Sequence, residues 1–260
     1  MRLTCKSTAA GTGEAVPDFP AAIVFEGGAN QWRRFDAWPP AAAAPRAIHL
    51  HAGGRLSFEA ASGGAFDEYV SDPARPVPYI DKIAIGMTRP YMTDDQRFAS
   101  RRSDVLVYET EALEADLTLV GPFTAHLRVS TTGTDSDFVV KLIDVYSGDH
   151  PGVGAESGVA MGGYQQLVRG EPFRGKFRNS FEFPEPFVPS EPATVSFTMP
   201  DIFHTFRKGH KLMVHIQSSW FPLVDRNPQT FTNINTCGEE AFVKATQRVY
   251  EGSRLEVLVL

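Results

Sequence analysis

Two histidines with metal-ligand spacing stand out among the residues that could carry chemistry. His49 and His51 lie two positions apart, so on a β-strand they would share a face and could bind a metal if an acidic side chain came near. No second cluster with ligand spacing accompanies them, so a polar strand face is the preferred interpretation. His204 and His210 flank a turn, and we interpret both as structural residues.

Acidic residues offer two further candidate sites. Asp135 and Asp137, with Asp149 beyond the following predicted strand, would supply the hard oxygen ligands that calcium prefers. An Asx-type turn after Thr134 is favoured instead, because no bidentate glutamate follows in register. A second acidic stretch precedes a strand and is interpreted as solvated, since nothing indicates that two of its carboxylates converge: Glu109, Glu111, Glu114 and Asp116.

The motifs of the common catalytic and nucleotide-binding sites are missing from the sequence. No serine has a glycine two positions before it, so the Gly-x-Ser-x-Gly elbow of α/β-hydrolases is absent. The sequence also contains no Gly-x-x-x-x-Gly-Lys-Ser/Thr loop and no dinucleotide-binding fingerprint. We therefore predict no catalytic residue, no cofactor and no metal for this chain.

Aromatic residues are dense between positions 32 and 38. Trp32, Phe35 and Trp38 are interleaved with Arg33 and Arg34. Such a group could stack on a sugar or form a protein interface. It could equally belong to a strand whose tryptophans cap a hydrophobic core, and both interpretations stay open.

The elements that must position these residues are predicted to be β-strands. Apolar and polar residues alternate with a period of two in several segments, and residues 137–146 form a more continuous apolar run, as expected of a strand covered on both faces. The 22 glycines and 19 prolines fall between these runs. This spacing predicts an all-β antiparallel β-sandwich or jelly roll with strands near 22–26, 46–51, 55–60, 116–120, 123–131, 137–146, 164–168, 193–198, 211–217 and 254–260.

The predicted organisation is one main domain with two less regular parts. Residues 20–260 form the sandwich, and residues 62–104 make a long excursion across it, because they hold too few apolar residues for a separate core. Residues 1–19 are interpreted as a non-native or linker-like segment. Cys5 and Cys237 are far apart in sequence and are interpreted as free thiols.

Composition and charge exclude several classes of protein. The 260 residues are 42% hydrophobic and 22% charged, which is ordinary for a globular chain and argues against disorder. A net charge of −6 with scattered basic residues argues against a nucleic-acid partner. No apolar run approaches the roughly 18 residues of a membrane span, and the N-terminus lacks the apolar core of a signal peptide. We therefore predict a cytoplasmic chain with no membrane partner.

Two separated motifs carry a family resemblance. Residues 24–40 read VFEGGANQWRRFDAWPP, and residues 206–212 read FRKGHKL, followed by SSWFP at 218–222 and DRNP at 225–228. The first resembles the opening strand of the C-terminal domain of the CocE/NonD serine hydrolases, and the second resembles that domain's other signature. The amino-acid sequence of these motifs is most similar to that of the cephalosporin (glutaryl) acylases and α-amino acid ester hydrolases. The same group also contains the X-Pro dipeptidyl-peptidases.

The resemblance implies a galactose-binding-like jelly roll that packs on an α/β-hydrolase catalytic domain. In those enzymes the catalytic domain precedes this region and supplies the serine, aspartate and histidine. No segment of this chain resembles those catalytic segments, so the prediction is an accessory domain of an ester, amide or X-Pro peptide hydrolase that is inactive alone. A free-standing carbohydrate-binding module is the alternative, and a metal-dependent enzyme using His49 and His51 is the least favoured interpretation.

An accessory domain should expose an apolar surface for its partner. Aromatic residues on proline-stiffened loops are the candidates for this domain or subunit interface: Trp38, Trp220, Phe221 and Leu223. The expected partners are the α/β-hydrolase domain and, in the isolated chain, further copies in a homo-oligomer.

Two structural expectations accompany the second motif. Gly209 should adopt a positive φ in a tight turn that leads into the strand from Lys211. Asp225 and Arg226 should pair with each other or with backbone carbonyls in a loop fixed by flanking prolines.

Overall fold

β-strands dominate the part of the chain that the structure describes, which confirms the all-β prediction. The computed structural model describes residues 19–61, 63–84, 88–152 and 158–260, so the predicted segment 1–19 lies, apart from Phe19, outside the described residues. The strands are Ala22–Glu26 (β1), Gln31–Phe35 (β2), Ala44–His51 (β3), Arg55–Ser57 (β4), Phe66–Ser71 (β5), Leu106–Glu109 (β6), Leu117–Thr131 (β7), Asp137–Val145 (β8), Gln165–Arg174 (β9), Ala193–Phe206 (β10), Lys211–Gln217 (β11), Ala245–Tyr250 (β12) and Arg254–Val259 (β13).

Helix contributes little to the described residues. One α-helical turn spans Arg97–Ser100 (α1), and three short 3-10 turns span Arg89–Met92, Gly175–Phe177 and Glu239–Ala241. In the described ranges no helix has both the length and the apolar character needed to cross a membrane.

The strands form two layers of mainly antiparallel sheet. One layer has the order β6, β11, β8, β9, and the other runs from β5 through β12, β7, β13 and β3 to β4, with β10 also paired to β7. A parallel bridge between Arg55 and Glu109 connects β4 to β6 and joins the layers. The first two strands form a separate antiparallel hairpin, β1–β2.

The main core lies between the two layers and receives side chains from nearly every strand. Phe123 of β7, Phe138 of β8 and Phe206 of β10 are among its largest buried members. β8 is buried at eight of its nine positions, because its inner side chains enter this core and its outer ones are covered by other segments. The prediction that this strand is covered on both faces is confirmed.

The excursion predicted at residues 62–104 supplies that outer cover. Tyr79 and Ile80 pack with Val139 of β8 in a second apolar cluster, and Asp95 forms an isolated bridge with Gln166 of β9. The excursion also contains β5, which the period-two analysis missed and which pairs along its length with β12.

The predicted strand limits at residues 120, 123 and 198 were wrong for one physical reason. Gly121 and Pro122 indicated a turn between two strands, but β7 is one strand of fifteen residues that passes through this point with Gly121 at φ +76°. The partner strand β10 shifts register between Met199 and Ile202, so the pair accommodates the distortion as a bulge. β10 therefore extends to Phe206 instead of ending near 198, and β2, β6 and β12 were absent from the predicted set.

Candidate docking surfaces and buried polar clusters

The β1–β2 hairpin is anchored to the sandwich through its inner face. Glu26 is buried, and its carboxylate accepts hydrogen bonds from Thr205 (2.5 Å), Gln31 (3.1 Å) and Arg33 (3.1 Å). Backbone bonds connect Gly27 to Phe203 and Thr205, each at 2.9 Å. The hairpin is therefore fixed against the C-terminal half of β10.

The outer face of the same hairpin is uncovered and apolar. Ile23 is 44% exposed, Phe25 is 45% exposed and Trp32 is 69% exposed. Phe25 and Trp32 are cross-strand neighbours, and their rings meet edge to face with centroids 5.4 Å apart. The hairpin therefore differs from an ordinary sandwich strand pair, because Glu26 is buried while Phe25 and Trp32 are exposed.

Trp38 and Phe35 lie on the other side of the aromatic motif, against the sandwich. Their rings and that of Phe203 form a mutual cluster with centroids 5.4 to 5.7 Å apart, and the Trp38 indole donates to Asp201 at 2.7 Å. Trp38 and Phe35 therefore cap the sandwich, whereas Trp32 faces solvent, and an interface role for Trp32 stays a prediction.

The residues of the second predicted interface segment also differ in their exposure to solvent. Trp220 is only 4% exposed and packs within the domain, so its indole adds little to any surface. Phe221 is exposed, Leu223 is half-buried, and Phe221 lines a groove of about 380 Å³ together with Pro78 and Ile83. An interface role for Trp38, Phe221 and Leu223 stays a prediction.

A third apolar surface lies in the loop between β9 and β10. Phe181 and Phe183 are both largely exposed, and Phe181 packs against Phe173 and Phe177 with centroids about 6 Å apart. Arg178 stiffens this loop by donating to the backbone carbonyl oxygens of residues 175, 185 and 186.

Asp144 and the two histidines interpreted as structural form one buried cluster. Nε2 of His204 and Nδ1 of His210 donate to opposite carboxylate oxygens of Asp144, at 2.9 and 2.8 Å. Burial alone would raise the pKa of Asp144, but the hydrogen bonds from both imidazoles hold it below its ordinary value. The cluster ties β8, β10 and β11 together close to the anchored end of the hairpin.

Two of the three candidate calcium ligands, for which an Asx-type turn was favoured, are engaged by protein groups. Asp137 forms a bidentate ion pair with Arg174 and accepts from Asn227 at 2.7 Å, and Asp135 accepts from the backbone N–H of residues 136 and 176. Burial, followed by the nearby Asp137 charge, raises the pKa of Asp135 to about 6. Asp149 lies beyond the opposite end of β8 and is exposed, so the three carboxylates do not converge.

Several of the other acidic and histidine candidates also contact neighbouring side chains. His51 lies 2.8 Å from the Ser57 hydroxyl and accepts from Arg55 at 3.1 Å, while burial and then the Arg254 charge lower the pKa of His49. Glu109 pairs with Lys211, and Asp116 pairs with Arg207. Over the described ranges, no group of three His, Cys, Asp or Glu side chains is placed to hold a metal ion.

The structural expectations for the second motif are met in two respects. Gly209 has φ +84°, which confirms the positive φ of its turn. Arg226 donates to the Pro73 carbonyl at 3.1 Å, whereas Asp225 pairs with Arg174 and not with its neighbour Arg226.

Lys141 is a buried charge that sequence analysis missed. It lies in the middle of β8, fully buried, and donates to Gln96 at 3.2 Å with the Trp220 ring 5.0 Å away. Its cross-strand neighbour His215 is also fully buried, and neither of its ring nitrogens has a partner among the described residues. Burial lowers the pKa of Lys141 to about 7 and lowers that of His215 well below its ordinary value.

These features describe a β-sandwich with several exposed apolar surfaces and buried polar clusters. A family model described as the X-Pro dipeptidyl-peptidase C-terminal non-catalytic domain matches residues 15–259, and the chain belongs to this family. It is therefore the non-catalytic C-terminal domain of X-Pro dipeptidyl-peptidase and CocE-type hydrolases, as predicted. The comparisons give no support to the carbohydrate-binding alternative.

Known proteins resemble this chain over nearly all of its length. It is 42% identical, with a TM-score of 0.87, to an aminopeptidase from a marine sediment Thaumarchaeota archaeon, covering 93% of this chain and 41% of that one. It is 41% identical, with a TM-score of 0.87, to an α-amino acid ester hydrolase, covering 95% and 42%. It is 29% identical over 251 residues to cocaine esterase of Rhodococcus sp. (strain MB1 Bresler), covering 93% and 41%. The chain thus spans about two fifths of each relative.

Proposed function

We propose that this domain is part of a hydrolase that cleaves esters or amides of α-amino acids. The supporting observation is the identity of 41–42% along almost the whole chain to an α-amino acid ester hydrolase and an aminopeptidase, against 29% for cocaine esterase. Both of the first two names describe attack on the carbonyl group of an α-amino acyl unit. The nucleophile and the substrate pocket would belong to the catalytic domain, since this sequence has no nucleophile elbow.

The role proposed for this domain is to pack on that α/β-hydrolase domain and complete its fold. Three surfaces expose large apolar side chains: the outer face of the hairpin, the groove beside Phe221, and the Phe181 loop. Uncovered apolar patches of this kind mark protein interfaces more often than free surface.

We also propose that the isolated chain self-associates through these surfaces, which light scattering over a range of concentrations would test. A concentration-independent monomer would contradict that part.

The experiment for the main proposal is a domain exchange. The C-terminal domain of the α-amino acid ester hydrolase relative would be replaced by residues 19–260 of this chain, and hydrolysis of an α-amino acid methyl ester would be measured. We expect an active fusion, a truncated relative with little activity, and no turnover by this chain alone. Turnover by the highly purified chain, or a fusion as inactive as the truncated enzyme, would contradict the proposed function.

A further inference from the structure

A two-stranded sheet in water needs cover on its apolar face to be stable. The inner face of the β1–β2 hairpin has this cover from β10, through the Glu26 and Gly27 contacts described above. The outer face is much less covered by the described residues, and its large apolar side chains Ile23, Phe25 and Trp32 remain 44%, 45% and 69% exposed. The hairpin is therefore rigidly held but half covered.

The chemistry of this outer face suits a protein surface. The two aromatic rings contact each other edge to face and form a continuous apolar strip with Ile23, whose cross-strand neighbour is Arg34. An apolar, aromatic centre with arginine at its rim is the composition typical of interface cores. Because Arg33 is engaged by buried Glu26, Arg34 is the arginine on this face that remains for a partner's acidic group or carbonyl.

The relatives indicate which partner covers the strip. The family is a C-terminal domain, and this chain matches only 41–42% of the length of the relatives, so more than half of each relative lies outside the region matched here. Because the family model begins at residue 15, a catalytic domain that precedes a C-terminal domain would connect to it beside β1. A short covalent connection gives a high effective concentration, so a modest apolar strip beside the connection suffices for docking.

We propose that the outer face of the β1–β2 hairpin, formed by Ile23, Phe25 and Trp32, is the surface on which the preceding catalytic domain of the parent hydrolase docks. This inference rests on the proposed function and adds the location of the contact. The Phe181 loop is a less suitable location, because Phe181 packs against aromatic rings of its own domain.

The test uses the same fusion of this chain to the catalytic part of the α-amino acid ester hydrolase. The test variant carries Phe25→Ser and Trp32→Ser, and the matched control carries Phe181→Ser and Phe183→Ser, which removes two exposed aromatic rings elsewhere. The readout is the half-life of ester hydrolysis at a fixed elevated temperature. Melting temperatures of the full chain carrying each pair of changes show whether the domain itself stays folded.

We expect the hairpin variant to lose at least tenfold in half-life, the loop variant to change by less than twofold, and both isolated chains to melt within about 3 °C of the unchanged chain. A hairpin variant as long-lived as the unchanged fusion, or a loop variant that alone loses stability, would overturn this location while leaving the proposed function standing. If the isolated hairpin variant unfolds, the single change Trp32→Ser, at the most exposed position of the strip, is used instead. Its fusion is compared by the same half-life measurement and against the same expected outcomes. An unchanged fusion that never gains activity would instead count against the proposed function.

Discussion

Replacing Lys141 by methionine should stabilise the domain and flatten the dependence of its stability on pH. The pKa of Lys141 is about 7 in the folded chain, against 10.5 for an ordinary lysine. Each pH unit between these values costs about 1.4 kcal/mol, because the unfolded chain holds a proton that the folded chain does not. The cost is therefore about 5 kcal/mol at pH 7 and below, falls as pH rises, and vanishes above pH 10.5.

Methionine should fill the site because it is also unbranched and adapts to irregular packing. The change leaves the Gln96 carbonyl oxygen without its bond from Lys141, which offsets the gain by roughly 1 kcal/mol. We therefore expect a net stabilisation of roughly 2–4 kcal/mol at pH 7 that shrinks towards pH 10. Below pH 7 the lowered pKa of His215 adds a separate loss of stability as pH falls, in both proteins, so the comparison belongs between pH 7 and 10.

Urea unfolding at pH 7, 8, 9 and 10 would measure both the gain and its slope. Lys244→Met is the matched control, because that side chain is mostly exposed and its ion pair with Asp72 lies at the surface, so it should change stability by less than about 1 kcal/mol at every pH. Equal pH slopes for the Lys141→Met variant and the unchanged chain would refute the reasoning. A loss of stability of more than about 1 kcal/mol at pH 7 would refute it as well.

Two further changes test the contacts that fix the hairpin and its neighbours. Asp144→Asn removes the negative charge shared by two buried imidazoles and should cost about 2–3 kcal/mol by urea unfolding at pH 7. Because the Asp144 pKa is lowered in the folded chain, this stabilisation should decline as pH falls below about 4, and an equal cost at pH 3 would contradict it. Gly28→Ala places a Cβ 2.0 Å from the Thr205 carbonyl oxygen at φ +74° and should cost at least about 3 kcal/mol of stability. The control is Gly53→Ala, at φ +84° with no atom within 4 Å, which should cost only about 1–2 kcal/mol. Similar melting temperatures for the two variants would show that the close contact at Gly28 does not cause the loss.

Local patterns in the sequence were sufficient for the fold class and for single strands. The continuous apolar run of β8 indicates a strand buried on both faces, and it is buried on both faces. Gly209 between two polar residues indicates a turn with positive φ, and the turn has it. Both features depend on neighbours in the chain, so a short window contains the information.

The polar clusters depend on contacts between distant segments and could not be predicted in this way. Asp144 meets its histidines across 60 and 66 positions, and Glu26 meets Thr205 across 179. Lys141 lies in a run predicted to be covered on both faces, but no neighbour in sequence shows that the excursion places Gln96 beside it. A lysine inside an otherwise apolar run of a central strand was the one signal that could have indicated a buried charge.

The hairpin shows why the sequence pattern alone could not identify the docking face. Residues 22–26 are four apolar residues followed by a glutamate, so their pattern does not say which set faces inward, and the usual expectation would bury Ile23 and Phe25 and expose Glu26. The structure has the opposite arrangement, because Thr205, Gln31 and Arg33 satisfy the buried carboxylate. Full burial of an Ile or Phe side chain is worth about 1.5–3 kcal/mol. Because Ile23 and Phe25 stay 44% and 45% exposed, this arrangement forgoes part of that stabilisation in the isolated domain. A local rule broken at such a cost is expected where a surface serves a partner and not the domain's own core.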